Sequence, residues 1–155
     1  MNSHSRKPGK AVSIFLAGAA AACLSLASAT AQLAHTPRVG SLERKAILDC
    51  IRETCARDLK QDVIFKVGLL NVAGEWAAAR VIPLRPDGGA IDYSKTHYKE
   101  LDEEGAFDGE GEALLRRENG KWRLVKWRFG ASDTELSMWL EELRAPASLA
   151  LSDER

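Results

Sequence analysis

The sequence predicts an α+β fold in which an N-terminal helix packs on a four-stranded antiparallel sheet, built from two hairpins, with a short C-terminal helix. Three observations lead to this prediction. An amphipathic helical pattern opens the region after residue 40, two strand-like hairpin patterns follow it, and a second, shorter helical pattern closes it. Strands that follow one another and are flanked by helices are typical of the α+β class.

The first helix is predicted from Leu42 to about Leu59, with Ser41 as its N-cap. At 100° per residue, five side chains fall within one arc of about 120°, which is wide enough to pack on a sheet. These side chains are Ile47, Leu48, Ile51, Cys55 and Leu59.

The first hairpin is predicted between Asp62 and Leu84, with a turn near Ala73-Gly74. Val63, Phe65, Val67 and Leu69 alternate with their neighbours in sequence. If the loop holds an even number of residues, they lie opposite Leu84, Ile82, Arg80 and Ala78 and form one largely apolar face. This face requires a cover.

The second hairpin is predicted between Glu112 and Gly130, where Asn119-Gly120 suits a two-residue type I′ turn. That register places Leu114 opposite Val125, Leu115 opposite Leu124, and Arg117 opposite Trp122, where a cation–π contact is expected. Both faces are apolar in mid-strand, which favours a central or doubly covered hairpin.

The last helix is predicted behind a capping box at Ser132-Asp133-Thr134-Glu135. Its apolar stripe contains Leu136, Trp139, Leu140 and Leu143, and Pro146 marks its end. Between the hairpins, Ala90 to Gly111 is irregular, with a short helical turn expected from Tyr98 to Glu104.

The start of the chain is typical of a secretory signal peptide. Arg6, Lys7 and Lys10 precede an uncharged, Ala-rich run from Ala11 to Ala29, and the small-x-small pattern of Ala29-Thr30-Ala31 suits cleavage. We therefore expect a signal peptide at 1–31, a flexible lead-in at 32–40, one domain at 41–145 and a tail at 146–155. The protein would be periplasmic or secreted, and the alternative is an uncleaved membrane anchor.

Charge argues against nucleic acid as a partner. Removing the three basic residues of the 31-residue signal leaves 19 basic against 22 acidic residues, because that segment holds no acid. A net charge near −3 also gives no reason to expect an anionic membrane as partner.

Cys50 and Cys55 remain in the mature chain, and an oxidising compartment favours a disulfide between them. Five residues of helix rise about 7.5 Å, which exceeds the separation of about 7 Å that a disulfide allows. Either the helix breaks near Glu53-Thr54 and the disulfide forms, or the helix continues and both thiols stay free. The compartment leads us to expect the disulfide.

In its element order, the chain resembles the cystatin-like folds, including the cone-shaped nuclear-transport-factor-like group. It lacks the cystatin Gln-x-Val-x-Gly motif, for which Val67-Gly68-Leu69 does not substitute. At a finer level, five short stretches carry a second resemblance: Arg44 to Asp49, Gly74 to Ala77, Leu114 to Arg117, Gly120 to Leu124 and Asp133 to Trp139. Through them, the chain resembles a group of small exported bacterial proteins of unassigned function, from about Ser41 to Leu143. This second resemblance implies one compact exported domain and supplies no catalytic residue.

Two groups of residues are candidate sites. Asp92, Tyr93 and His97 could line a ligand pocket with His97 as a general acid or base. Trp122, with Arg117 and Arg123 close by, could form a contact patch. The acidic residues from Asp102 to Glu112 do not follow an EF-hand spacing and are expected to form a solvated loop.

We therefore expect no catalytic residue, metal or cofactor, and a non-enzymatic binding or interaction module whose partner is an unknown protein or component of the cell envelope. The alternative is an enzyme of the cone-shaped fold, or a small-ligand binder, with its pocket near His97. A folding or stress accessory without a small ligand is a third reading that the sequence leaves open.

Overall fold

The computed structural model describes residues 33–105, 108–130 and 135–151. In these parts of the chain, the strands form one antiparallel sheet in the order β1-β2-β3-β4. The predicted α+β class is confirmed, with its N-terminal helix, its four-stranded sheet and its short C-terminal helix. The elements are α1 (Leu42–Leu59), β1 (Ile64–Ala73), β2 (Trp76–Leu84), α2 (Lys99–Glu103), β3 (Gly111–Glu118), β4 (Lys121–Phe129) and α3 (Glu135–Glu142), with 3₁₀ turns at Tyr93–Lys95 and Ala147–Ala150.

Helix α1 begins and ends where local chemistry predicts. The Ser41 hydroxyl accepts a hydrogen bond from the Arg44 backbone N–H at 3.2 Å, and Lys60 ends the helix in the left-handed conformation with φ 56°. One face of the helix is fully buried against the sheet, where it contacts Leu70, Val72 and Leu115. That face consists of Ile47, Ile51, Cys55 and Leu59.

The opposite face of the sheet is covered by α3 and by the 3₁₀ turn after it. Leu136, Leu140 and Leu149 pack there against Ala78 and Leu114. The sheet is therefore buried on both faces, which explains why the middle of β3 is apolar at every position.

The predicted register of the first hairpin is wrong. The turn consists of Gly74 and Glu75, so Ala73 pairs with Trp76, and a β-bulge at Gly68 then shifts the pairing between Val67 and Leu69. As a result, Phe65 lies opposite Pro83, Val67 opposite Val81, and Leu69 opposite Arg80. Val67 contacts the α1 side of the sheet, whereas Leu69 contacts the α3 side.

The second hairpin agrees with the prediction close to its turn. Asn119 and Gly120 both have positive φ, at 51° and 77°, as a type I′ turn requires. Leu115 lies opposite Leu124 and Arg117 opposite Trp122, as expected. Leu114, however, pairs with Lys126 and not with Val125, because a bulge leaves Val125 unpaired.

Asn71 holds both ends of the described chain on β1. Its side-chain oxygen accepts a hydrogen bond from the Thr36 hydroxyl at 2.9 Å, and its amide donates to the carbonyls of Leu149 at 3.0 Å and Leu151 at 2.8 Å. His35 pairs with the Val72 backbone beside it. Part of the predicted lead-in is thus bound to the sheet.

Two predictions fall on residues that the structure does not describe. The signal peptide at 1–31 lies outside the described residues, and so do Ser132, Asp133 and Thr134 of the expected capping box. In the portion that is described, no helix has both the length and the apolar character needed to cross a membrane.

Candidate functional site

The residues predicted to line a pocket have separate local roles. The Asp92 carboxylate is exposed and accepts a hydrogen bond from the Ser94 backbone N–H at 3.0 Å, which caps the 3₁₀ turn. Hydrogen bonding to the Ser94 side chain, and then to this N–H, lowers the pKa of Asp92. His97 is exposed, and its ring lies 3.9 Å from the ring of Tyr98. Tyr93 points into an aromatic cluster, where burial raises the pKa of its hydroxyl to about 12.

That aromatic cluster packs part of the irregular segment between the two hairpins, Ala90 to Gly111, against the end of the sheet. The rings of Tyr93 and Tyr98 lie 6.2 Å and 5.1 Å from the ring of Phe129, and the Trp127 ring stacks on Phe129 at 6.3 Å. The Trp127 indole N–H also donates to Asp58 of α1 at 3.2 Å. Tyr93 thus has a packing role, which its position four residues before His97 in the sequence does not indicate.

The acidic segment contains exposed carboxylates, among them Asp102, Glu103, Glu104 and Asp108. In the described parts of the chain, no group of three or more His, Cys, Asp or Glu side chains is arranged to hold a metal ion.

The expected disulfide between Cys50 and Cys55 is absent, and both thiols are free. Helix α1 continues without a break through both positions. The two side chains are therefore about 140° apart around the helix axis, in addition to their separation along it. Cys55 is buried, which raises its pKa to about 12, whereas the half-buried Cys50 thiol donates to the Trp122 carbonyl at 3.6 Å.

The predicted contact between Arg117 and Trp122 is confirmed. The Arg117 guanidinium carbon lies 5.2 Å from the centre of the indole ring. The same guanidinium donates to the Gly74 carbonyl at 3.3 Å and lies 3.9 Å from the Glu43 carboxylate. Trp122 is half-buried against the α1 side of the core, so this pair is anchored at one end and open to solvent at the other.

The structure places Arg123 on the other face of the sheet from Trp122, because neighbouring residues of a strand point to opposite faces. Arg123 lies directly opposite Arg116 on β3. The Arg116 guanidinium carbon is 5.3 Å from the centre of the Trp76 ring. The turn end of the sheet therefore carries one arginine–tryptophan pair on each face.

The second of these pairs is absent from the sequence-based prediction. Trp76 and Arg116 are 40 residues apart and meet because β2 pairs with β3 in a register that places them opposite each other. Their residue types were visible in the sequence, but the register between two separate hairpins was not.

A basic stripe runs along β4 on the α3 side of the sheet. It consists of Lys121, Arg123, Lys126 and Arg128. Helix α3 pairs with half of it: Glu142 accepts from Lys126 at 3.1 Å, and Glu135 lies 3.3 Å from Arg128. Lys121 and Arg123 lie beyond this helix, at the turn end of the stripe.

Glu112 is a buried charged residue that the sequence-based prediction assigned to a solvated loop, and that assignment is wrong. It is 2% exposed, and one carboxylate oxygen accepts from Arg80 Nε at 2.7 Å. The other accepts from the Leu136 backbone N–H at 2.8 Å, in the first turn of α3. The ion pair therefore fixes α3 on the sheet.

A shallow, mainly apolar cleft of about 300 Å³ lies between α3 and the 3₁₀ turn that follows it. Its lining is rich in alanine and does not include the residues predicted for a pocket. The lining residues are Ser137, Leu140, Glu141, Ala145, Ala147 and Ala150.

Comparison with known proteins adds no assignment: no protein-family model, no curated protein and no solved structure matches this chain. The geometry of its own side chains is therefore the basis on which a function can be proposed.

Proposed function

We propose that this chain is an exported, non-enzymatic interaction module whose contact surface is the turn end of the sheet. The observation that carries this proposal is the pair of arginine–tryptophan contacts, Arg117 on Trp122 on one face and Arg116 on Trp76 on the other. We call these four residues the turn-end surface.

The residue types of the turn-end surface support a role in recognition. Tryptophan and arginine are the side chains that most often dominate the energy of protein–protein interfaces. Each guanidinium here lies over an indole, so less side-chain freedom is lost when a partner binds. Trp122 is also held from behind by the packing of α1, which presents it in a defined orientation.

Export is supported by the basic start, the apolar run and the small-residue cleavage pattern of residues 1–31. In this proposal, the partner is a protein or component of the cell envelope. The alternative of a pocket near His97 has weaker support, because Asp92 caps a turn and Tyr93 packs in the aromatic cluster.

The test is a cross-linking pull-down from periplasmic extract with tagged mature protein, starting at Gln32. We compare the unmodified chain with Trp122→Ala and Arg117→Met. Trp139→Ala is the control, because it removes a half-buried indole on the α3 side of the sheet. Circular dichroism establishes that each variant is folded.

We expect a stoichiometric partner whose affinity falls about thirtyfold or more with Trp122→Ala, as a binding hot spot requires, so that its recovery drops, whereas recovery stays unchanged in the control. Equal recovery with the Trp122 variant would exclude this surface. Repeated recovery of the chain alone would direct attention to a small ligand and to the segment around His97.

A further inference from the structure

The basic stripe on β4 shows how this fold binds carboxylates. Glu135 and Glu142 are seven residues apart and lie on one side of α3. They pair with Arg128 and Lys126, which are two residues apart on β4 and therefore lie on the same face of the sheet as the helix. Glutamates one heptad apart on a helix, about 10.5 Å along its axis, can therefore pair with alternate basic residues of this strand, about 6.7 Å apart, because their side chains are long.

Helix α3 leaves the turn end of the stripe uncovered. Arg116 and Arg123 face each other directly across two strands, and Lys121 lies on the same face. Like charges in directly opposed positions destabilise a sheet unless an anion lies near them. The carboxylate of Glu118 lies 3.4 Å from Arg123 and balances one of the three cations.

Among the residues that the structure describes, Arg116 has no such counter-charge. Within residues 33–105, 108–130 and 135–151, no carboxylate forms an ion pair with Arg116, and its guanidinium lies over the Trp76 ring. Two positive charges thus remain in excess on a solvent-exposed face of the sheet, beside an indole.

We propose that Arg116 of β3, together with Arg123 and Lys121 of β4, binds a carboxylate-rich segment of a partner polypeptide, which would extend toward the β3–β4 turn the ion pairing that α3 makes. This inference rests on the proposed function and specifies the chemistry of the partner. Charge complementarity supports this proposal. The excess of positive charge is confined to this surface, because the mature chain as a whole is slightly acidic, with 19 basic and 22 acidic residues.

A polypeptide fits this surface better than nucleic acid or a membrane does, because the excess of positive charge is small. Three cations on one short hairpin end are fewer than a nucleic-acid backbone or a membrane surface typically engages. An acidic helix needs only two or three cations, spaced as Lys126 and Arg128 already are for α3.

The experiment uses fluorescence anisotropy with a labelled helical peptide that carries glutamate at heptad spacing, and a matched peptide with glutamine in its place. The protein variants are Arg116→Glu/Arg123→Glu and the milder Arg116→Gln/Arg123→Gln. The control is Lys66→Glu/Lys95→Glu, which makes the same change in net charge at two exposed lysines elsewhere. Vesicles of phosphatidylglycerol and duplex DNA are tested as competing probes.

We expect saturable binding of the glutamate peptide that weakens as the salt concentration rises, about tenfold weaker binding in both arginine variants, and no change in the control. Equal binding of the glutamine peptide, equal loss in the control, or binding of vesicles or DNA in place of the peptide would overturn the inference. If the pull-down partner still depends on Trp122 while the arginine variants bind the peptide normally, the proposed function stands and this inference fails.

Discussion

The guanidinium of Arg80 donates to the carboxylate of Glu112 at 2.7 Å, and the same carboxylate accepts from the first turn of α3. Arg80 is 24% exposed, whereas Glu112 is almost completely buried. We therefore expect Arg80→Met to destabilise the fold by about 3 kcal/mol, because it leaves a buried carboxylate without its cation. Urea unfolding measures this change.

The double variant Arg80→Met/Glu112→Met provides the control for that prediction. It should cost less free energy of unfolding than Arg80→Met alone, because no charge is left buried. If the single variant unfolds at the same urea concentration as the unmodified chain, the pair does not hold α3 on the sheet.

Gly111 is a position at which even one methyl group would not fit. A Cβ at this residue would lie 2.4 Å from Cη2 of Trp127, so the indole would have to move. We expect Gly111→Ala to cost about 1–3 kcal/mol through overpacking, measured by thermal or urea unfolding.

Gly68→Ala is the matched control for Gly111→Ala, because its Cβ would make only ordinary contacts at 3.6 Å and 3.7 Å. We expect this change to alter stability by no more than about 0.5 kcal/mol. A smaller side chain at Trp127 should reduce the loss of unfolding free energy caused by Gly111→Ala. An unchanged loss would show that no steric clash between the two residues causes it.

Cys50 and Cys55 should both be thiols in protein purified without reducing agent. Cys55 is buried with a pKa of about 12, so alkylation at about pH 8 should modify it only after unfolding, since the thiolate is the reactive form. Cys50 is half-buried and should react first. Mass spectrometry with and without denaturant checks this, and a chain that resists alkylation at both sites in denaturant would contradict it.

Stability should fall at alkaline pH. The pKa of Cys55 is raised from 9.0 to about 12, and that of Tyr93 from 10.0 to about 12, mainly by burial. Groups with a raised pKa in the folded state contribute stability that is complete below the unfolded pKa and is lost as pH rises through the folded one. The melting temperature should therefore decline from about pH 9 upward.

Tyr93→Phe and Cys55→Ala isolate the two groups in that experiment. Each variant should show a shallower decline of melting temperature with pH than the unmodified chain, whatever its absolute stability. A slope that is unchanged in both variants would show that other groups cause the alkaline loss.

The local features of the fold were predictable from the sequence. Ser41 and the apolar stripe behind it define α1, and Asn119-Gly120 defines the second turn, because these signals act over a few residues. The register of the strands was less accessible. The bulge at Gly68 places Leu69 on the opposite face from Val67, where one shared face was expected, although a glycine inside a strand is itself a signal for a bulge.

The candidate site was predictable to the same limited extent. Arg117 and Trp122 lie across one tight turn, so their contact follows from the hairpin alone. Arg116 and Trp76 meet only through pairing between the two hairpins, and Glu112 becomes buried only when α3 docks. Such long-range arrangements depend on tertiary packing, which the periodicity of apolar residues along the sequence does not specify.

The position of Asn71 has a consequence for rearranging this chain. The Thr36 hydroxyl donates to the side-chain oxygen of Asn71, and the side-chain nitrogen of Asn71 donates to the Leu151 carbonyl. The two ends of the described chain are therefore separated by little more than one side-chain amide. A short linker could join them and close the backbone into a ring. New termini could then be opened at the exposed Asn119-Gly120 turn, which would yield a circular permutant with the β3–β4 connection cut.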